Sequence, residues 1–413
     1  MDLVFRQVRL DKDSPLRDIA IEKGVIKSIS LKFEGQAARE IPAEGRVLIP
    51  GLIESHLHLE KAMVSDRKAN RSGTLQEAIA VTAELKPTFT REDILERSRK
   101  TLRMMVKYGT TCVRAHSEFD PAQGFTGVDA VLTLRDEFKG VIDIQVVAFP
   151  QEGIIKAPGT EKMMYEAIER GCDVVGGIPY NDPDAHEHID LVFRIAKHFN
   201  KDLDLHQDFS DDADGMSIEY LARQTIKHGW EGRVCVGHET ALGAVKPERL
   251  AELVPLIRDA GITVMCLPNT DLHLGARKDT YNVRRTLTPV RALRDGGVNV
   301  CLATNNIRNA FTPFGNGDLF QIALVAIPAC HLGGADDQAT VLPMITANPA
   351  KALKLKNYGI AEGNRADLVL LDTLSYNDAV IDVPDRMYVV KNGRIVVESI
   401  RTTKYSFHLG SVN

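Results

Sequence analysis

The chain has one tryptophan, no CxxC pair, no cluster of basic residues and no long apolar run, and each shortage removes a class of protein. Its six cysteines (Cys112, Cys172, Cys235, Cys266, Cys301, Cys330) lie far apart, most of them inside apolar runs. They read as buried thiols rather than as a disulfide framework or a cysteine metal site. Lys and Arg number 51 against 56 Asp and Glu, for a net charge of −5, and the basic residues are scattered. The footprint of a nucleic-acid partner is missing, and a small molecule is the expected partner. The best apolar candidate, 322–330, is shorter than the ~18 residues of a membrane helix and is interrupted by Pro328, so no membrane span is expected. The opening MDLVFRQVRLDKDSPLRDIA carries charge throughout and lacks the apolar centre of a secretory signal, which points to a cytoplasmic protein.

What is present is ample core: 413 residues, 44% hydrophobic. Residues 1–49 read as short strands separated by turn signals, and the tail repeats that grammar in ADLVLLD, MYVVKNG and RIVVES. KGVIKSI near the start and NGRIVVE near the end share one pattern, so segments 1–49 and 358–413 are expected to form a composite β-sandwich. Between them, residues 50–357 hold eight apolar runs, 51–58, 110–116, 142–149, 173–179, 202–208, 233–239, 262–268 and 298–306, most of them followed by a segment of helical period. Helices are expected at 74–85, 91–108, 161–170, 187–199, 217–229, 247–260 and 286–296. Eight near-continuous Val, Ile and Leu runs predict an α/β fold, a (β/α)8 TIM barrel. A doubly wound sheet would carry a Gly-rich first turn, and none follows Gly51.

Barrel enzymes react at the C-terminal ends of their strands. There the first run ends His56-Leu57-His58 and the second with His116. The third runs into Gln151, the fifth carries His206 and Asp208, the sixth has His238, and the eighth ends Asn305-Asn306. Residues two apart on a strand share a face, so His56 and His58 both point into the mouth. An isolated HxH says little, but together with His206 and His238 it makes a site for one divalent ion, zinc or iron. The fourth run ends Ile178-Pro179-Tyr180, without the lysine or carboxylate that a bridged two-metal site needs. Trp230 and the pairs Met104-Met105 and Met163-Met164 read as packing.

At these motifs the chain resembles the amidohydrolase superfamily, within it the cytosine deaminase-like and N-isopropylammelide amidohydrolase-like group. The resemblance runs through IPGLIESHLHLEKA, VRAHSEFD, IDIQVVAFPQEG, CDVVGGIPY, GRVCVGHETA, LHLGARKDTY, FTPFGNGD and NYGIAEGNRADLVLL. It implies His56, His58 and His206 as metal ligands and His238 beside the reacting water. It also implies Gln151 against a heterocyclic substrate and LHLGARKDTY as a lid or pocket wall. Two positions depart from the group. Where it carries a glutamate three residues after the fifth-strand histidine, this chain has Phe209, and where it carries the eighth-strand aspartate, it has Asn305. A cation held by three imidazoles still lowers the pKa of water to about 7. Delivery of a proton to the leaving group, worth about 10²- to 10⁴-fold, then needs another carrier.

Asp208, sharing a face with His206, is the first candidate for that carrier and His238 the second; Glu60 and Glu118 rank lower. Asn305 reads as a weak amide ligand, a substrate contact, or an aspartate replaced on purpose to make a trap. Lys61, His116, Phe209 and Asn306 join Gln151 as candidate substrate contacts, with Phe209 either filling space or stacking on a ring. The reading is a metal-dependent hydrolase of a C–N bond in a small nitrogen heterocycle, a deaminase or a ring-opening hydrolase of cyclic amides, with homo-oligomers common for such barrels. The alternatives are a ligand-binding paralogue without catalysis and a metal-free structural barrel.

Overall fold

The computed structural model describes residues 1–404 and residue 406; residues 405 and 407–413, at the end of the expected 358–413 segment, lie outside the described residues. Four N-terminal strands, β1 (Leu3–Val8), β2 (Arg17–Glu22), β3 (Val25–Ser30) and β4 (Arg39–Pro42), form one sheet in the order β3-β2-β1-β4. The next strand, β5 (Leu48–Pro50), leaves that sheet and pairs antiparallel with Leu368–Leu371 from the other end of the chain. Phe5, Ile19 and Leu48 therefore share one buried cluster with Leu368, Leu370 and Val390, and neither end has a complete core without the other.

The barrel strands are β6 (Leu52–Leu57), β7 (Thr110–Glu118), β8 (Asp143–Phe149), β9 (Val174–Gly177), β10 (Asp202–Gln207), β11 (Val234–His238), β12 (Thr263–Cys266) and β13 (Asn299–Leu302). Each pairs in parallel with the next. Closure falls at the mouth: the Asn305 N–H donates to the His56 carbonyl at 2.8 Å, and the His58 N–H donates to the Asn305 carbonyl at 2.9 Å. The seam of the barrel thus runs through three of the predicted site residues. All nine residues of β7 are buried, as expected of strands covered on both faces. The C-terminal strands β14 (Leu368–Leu371), β15 (Arg386–Lys391) and β16 (Arg394–Glu398) complete the second sheet, in the order β16-β15-β14-β5. That sheet is fastened to the barrel through the fully buried Lys391, whose Nζ meets Asp143 at 2.7 Å and Asp367 at 2.8 Å.

Two parts of the helix expectation need correction. Helices at Thr126–Glu137 and Leu319–Ala329 were not expected; the second is so uniformly apolar that it has no helical stripe to read. The helix expected at 286–296 covers only Val290–Asp295.

Candidate active site

Each site residue is aimed by the way its strand ends. His56 lies within β6 and His58 one residue beyond it. Their Nε2 atoms lie 3.2 Å and 2.8 Å from Nε2 of His206, which projects from β10. Gly237 in β11 gives the His56 ring its space, since a Cβ there would sit 2.7 Å from His56 Cε1. Burial first, and then neighbouring cationic groups, push all three imidazoles well below their usual pKa. They are neutral, with converging lone pairs, and their Nδ1 atoms have no partner. Asn305 adds a buried Oδ1 that also lacks a partner. Neutral imidazole donors and an orphaned amide oxygen in one pocket fit a divalent cation.

Two other groups among the described residues bring potential ligand atoms together, His56–His116–Asp204 and His58–Glu60–Glu118. In the first group the carboxylate is already engaged, and in the second so is Glu118, while Glu60 Oε2 has no partner. Asp204 meets Arg114 at 2.7 Å and His116 at 3.1 Å, while Glu118 is paired with Lys61 and, at 3.0 Å, with Lys86. The three-histidine group holds no carboxylate committed to a lysine or arginine.

His238 ends β11 with φ at 76° and Asn305 lies at 62°, left-handed conformations that residues other than glycine adopt at a cost and that cluster at functional sites. The Nδ1 of His238 is 2.6 Å from Asp271 Oδ1. Because the carboxylate accepts, Nδ1 carries the proton and Nε2 is left for the pocket. Burial raises the Asp271 carboxyl against the opposing pull of His238. Phe209 stacks on the His238 ring, centroids 4.3 Å apart and planes 23° from parallel, so of its two readings it stacks, but on protein.

The pocket in front of the histidines encloses about 440 Å³ of non-atom space, the open solvent at its mouth included. Leu75, Ile79, Leu274 and Phe311 give it apolar walls, and Lys61, Gln151, Asn305 and Asn306 bring polar atoms. From LHLGARKDTY only Leu274 lines the pocket, while Leu272 and Tyr281 are exposed.

Two predicted roles need correction. Asp208 does not face the pocket. It takes φ of 43°, which breaks the strand alternation that would have set it beside His206. Its carboxylate accepts from the Ser217 and Ile218 N–H groups, both at 2.9 Å, and from the Gln207 amide at 3.0 Å. It holds the start of the helix Ile218–His228 and is no free acid. His116 is fully buried beneath the ligand cluster, with its ring 3.8 Å from that of His56 and its Nε2 on Asp204; it supports His56 and does not reach a substrate. Lys61 pairs with Glu118 and donates to Gln151 Oε1 at 2.9 Å. No pattern along the chain announces Asp271, Asp204 or Asn309, whose partners are 33 or more residues away or depend on a loop conformation.

The chain matches the amidohydrolase family over residues 64–397. It is 34% identical over 409 residues to N-isopropylammelide isopropyl amidohydrolase of Pseudomonas sp. (strain ADP), covering 96% of this chain and 97% of that one. It is 26% identical over 389 residues to a pterin deaminase of Rhizobium rhizogenes, covering 93% and 88%. The crystal structure of 5-methylcytosine deaminase from Klebsiella pneumoniae liganded with phosphonocytosine superposes with a TM-score of 0.93 at 32% identity, covering 97% of this chain and 100% of that one.

Proposed function

Because the chain belongs to the amidohydrolase family and is a hydrolase acting on C–N bonds, we propose that it removes an amine or ammonia from a small nitrogen heterocycle, using one divalent cation, zinc or iron. The observation that supports this reading is the convergence of the Nε2 atoms of His56, His58 and His206, 3.2 Å and 2.8 Å apart across His206. A divalent cation, when bound, supplies acidified water and polarises the carbon under attack. The rest falls to this chain's side chains. Asn305 offers its Oδ1 as a further oxygen donor. His238 Nε2, oriented by Asp271, accepts the proton of the attacking water and returns it to the leaving nitrogen. That role passes to His238 because Asp208 is engaged elsewhere and Phe209 cannot titrate. Gln151, Lys61 and Asn306 hold the ring, and Phe209 covers one face of His238 and excludes water from it.

The test is release of ammonia or amine from a panel of pyrimidines, triazines, pterins and hydantoins by protein reconstituted with zinc or ferrous iron. Turnover of at least one ring that stops when His238 is replaced is expected. No release from any ring would contradict the proposal and favour the ligand-binding paralogue.

A further inference from the structure

Behind the pocket lies a buried imidazole–carboxylate pair, His188 and Asp182, that the proposed chemistry does not use. β9 pairs with β10 only as far as Gly177, so the N–H of the buried Ile178 leaves the ladder and needs another acceptor. His188 supplies it. The fully buried ring stands on the first turn of the helix Ala185–Phe199, and its Nε2 accepts from the Ile178 N–H at 3.0 Å. A backbone N–H can only donate, which puts the ring proton on Nδ1. Nδ1 donates it to Asp182 Oδ2 at 2.5 Å. The approach depends on Gly177, since a Cβ there would sit 2.8 Å from His188 Nε2.

Asp182 is not engaged in starting the helix. That task falls to Asp184, whose side chain accepts from the His186 and Glu187 N–H groups at 2.9 Å and 3.0 Å. The remaining capacity of Asp182 goes to the neighbouring loop, where it accepts from the N–H groups of Ile154 at 2.7 Å, Ile155 at 3.2 Å and Lys156 at 3.1 Å. Gly153, at φ of 90°, makes room for it, because a Cβ there would run into Asp182 Oδ1. A second link joins the same two loops: Asn181 Nδ2 donates to the Gln151 carbonyl at 2.7 Å, and Lys156 Nζ donates to Asn181 Oδ1 at 2.7 Å. Both loops are thus tied to one helix through one imidazole. Gln151, Ile178, Tyr180 and Asn181 line the pocket, whereas His188 and Asp182 do not.

We infer that His188, its tautomer set by Asp182, is a positioning residue for substrate binding, whose Nε2 holds the loop 178–182 and its register against the loop 151–156. The inference rests on the heterocycle reading above and extends it to a residue that no substrate touches. The dyad acts apart from the reacting centre, because the cation-binding imidazoles come from β6 and β10 and His238 from β11. Loss of the Nε2 acceptor leaves a buried N–H unpaired, and the loop relieves that only by moving. Substrate affinity then falls while metal content holds.

Two replacements of similar shape separate the two halves of the ring. His188→Asn keeps a donor at the Nδ1 position and removes the acceptor at Nε2, whereas His188→Gln keeps an acceptor that reaches the Nε2 position and gives up the donor. Steady-state kinetics of the zinc-loaded chain, on the panel ring it turns over fastest, should show KM about tenfold higher in His188→Asn, kcat within about threefold of the unaltered protein, and KM returned toward its starting value in His188→Gln. Asp182→Asn reads the same lock without altering the imidazole and does not depend on His188→Asn folding. Its NH₂ must face either the ring or the N–H groups of residues 154–156, so KM should rise whichever way it turns. A lower Tm with KM unchanged in these variants marks a pair that serves only the fold and overturns the inference, as does a fall in kcat larger than the rise in KM. Either result leaves the heterocycle reading in place, whereas no turnover of any ring by the unaltered protein removes that reading and the inference together.

Discussion

The two sides of the barrel mouth are built on opposite principles. On one, Nδ1 of His56, His58 and His206 and Oδ1 of Asn305 are buried without a hydrogen-bond partner. On the other, the charges of Lys61, Glu118 and Lys86 are paired among themselves. Buried polar groups without partners are costly; the proposed cation would engage the first side, whereas the charges of the second are paired within the chain.

The comparison breaks most severely at His206, which is shared by both close imidazole contacts. His206→Ala is expected to remove bound metal and to abolish turnover, read by elemental analysis and rate together. Next comes Asp271→Asn, which replaces the acceptor that fixes the His238 tautomer. Metal content should be unchanged while kcat falls about 100-fold, and equal loss of metal would place His238 among the ligands instead. On the satisfied side, Glu118→Gln should raise KM about tenfold with a smaller effect on kcat, because it loosens a binding group and not the reacting centre. Asp208→Ala sharpens the boundary between site and scaffold. Losing the helix-start acceptor should lower stability by about 1–2 kcal/mol, seen as a lower Tm, with metal retained; a hundredfold loss of turnover would restore Asp208 as the acid.

The smallest effect is one of pH. Asp182 accepts from His188 Nδ1 and from the Ile154, Ile155 and Lys156 N–H groups, which ties down the loop that follows Gln151. Burial raises its carboxyl, but these donors outweigh that and hold it at about 2. A depressed carboxyl stabilises the fold above its unfolded pKa of about 4, and that contribution is lost as pH falls from there through the folded value. Hydrogen exchange in residues 151–156 should therefore rise below about pH 4, and should do so already at neutral pH in Asp182→Asn.

The barrel was legible because its signal is one of composition: eight apolar runs long enough to be strands, at whose ends polar residues fall. His56, His58 and His206 were legible for the same reason, since strand alternation carries a side chain to a known face. Asp208 was misread where that alternation stops. A single left-handed residue at the end of β10 turned its carboxylate onto a helix start, and no pattern in the sequence announces such a φ. His116 was misplaced by depth along the strand: it lies within β7 and not at its end, one layer beneath the pocket. Asp271 acts through a contact that tertiary closure sets, so its role emerges only with the fold.

The central claim is that the imidazoles of His56, His58 and His206 hold one divalent cation. X-ray absorption at the zinc and iron edges, on protein purified without chelator, tests it directly. Close to one ion per chain is expected, with imidazole nitrogen ligands in its inner shell that vanish in His206→Ala. Active protein without metal, or an ion whose inner shell is unchanged in His206→Ala, would contradict it.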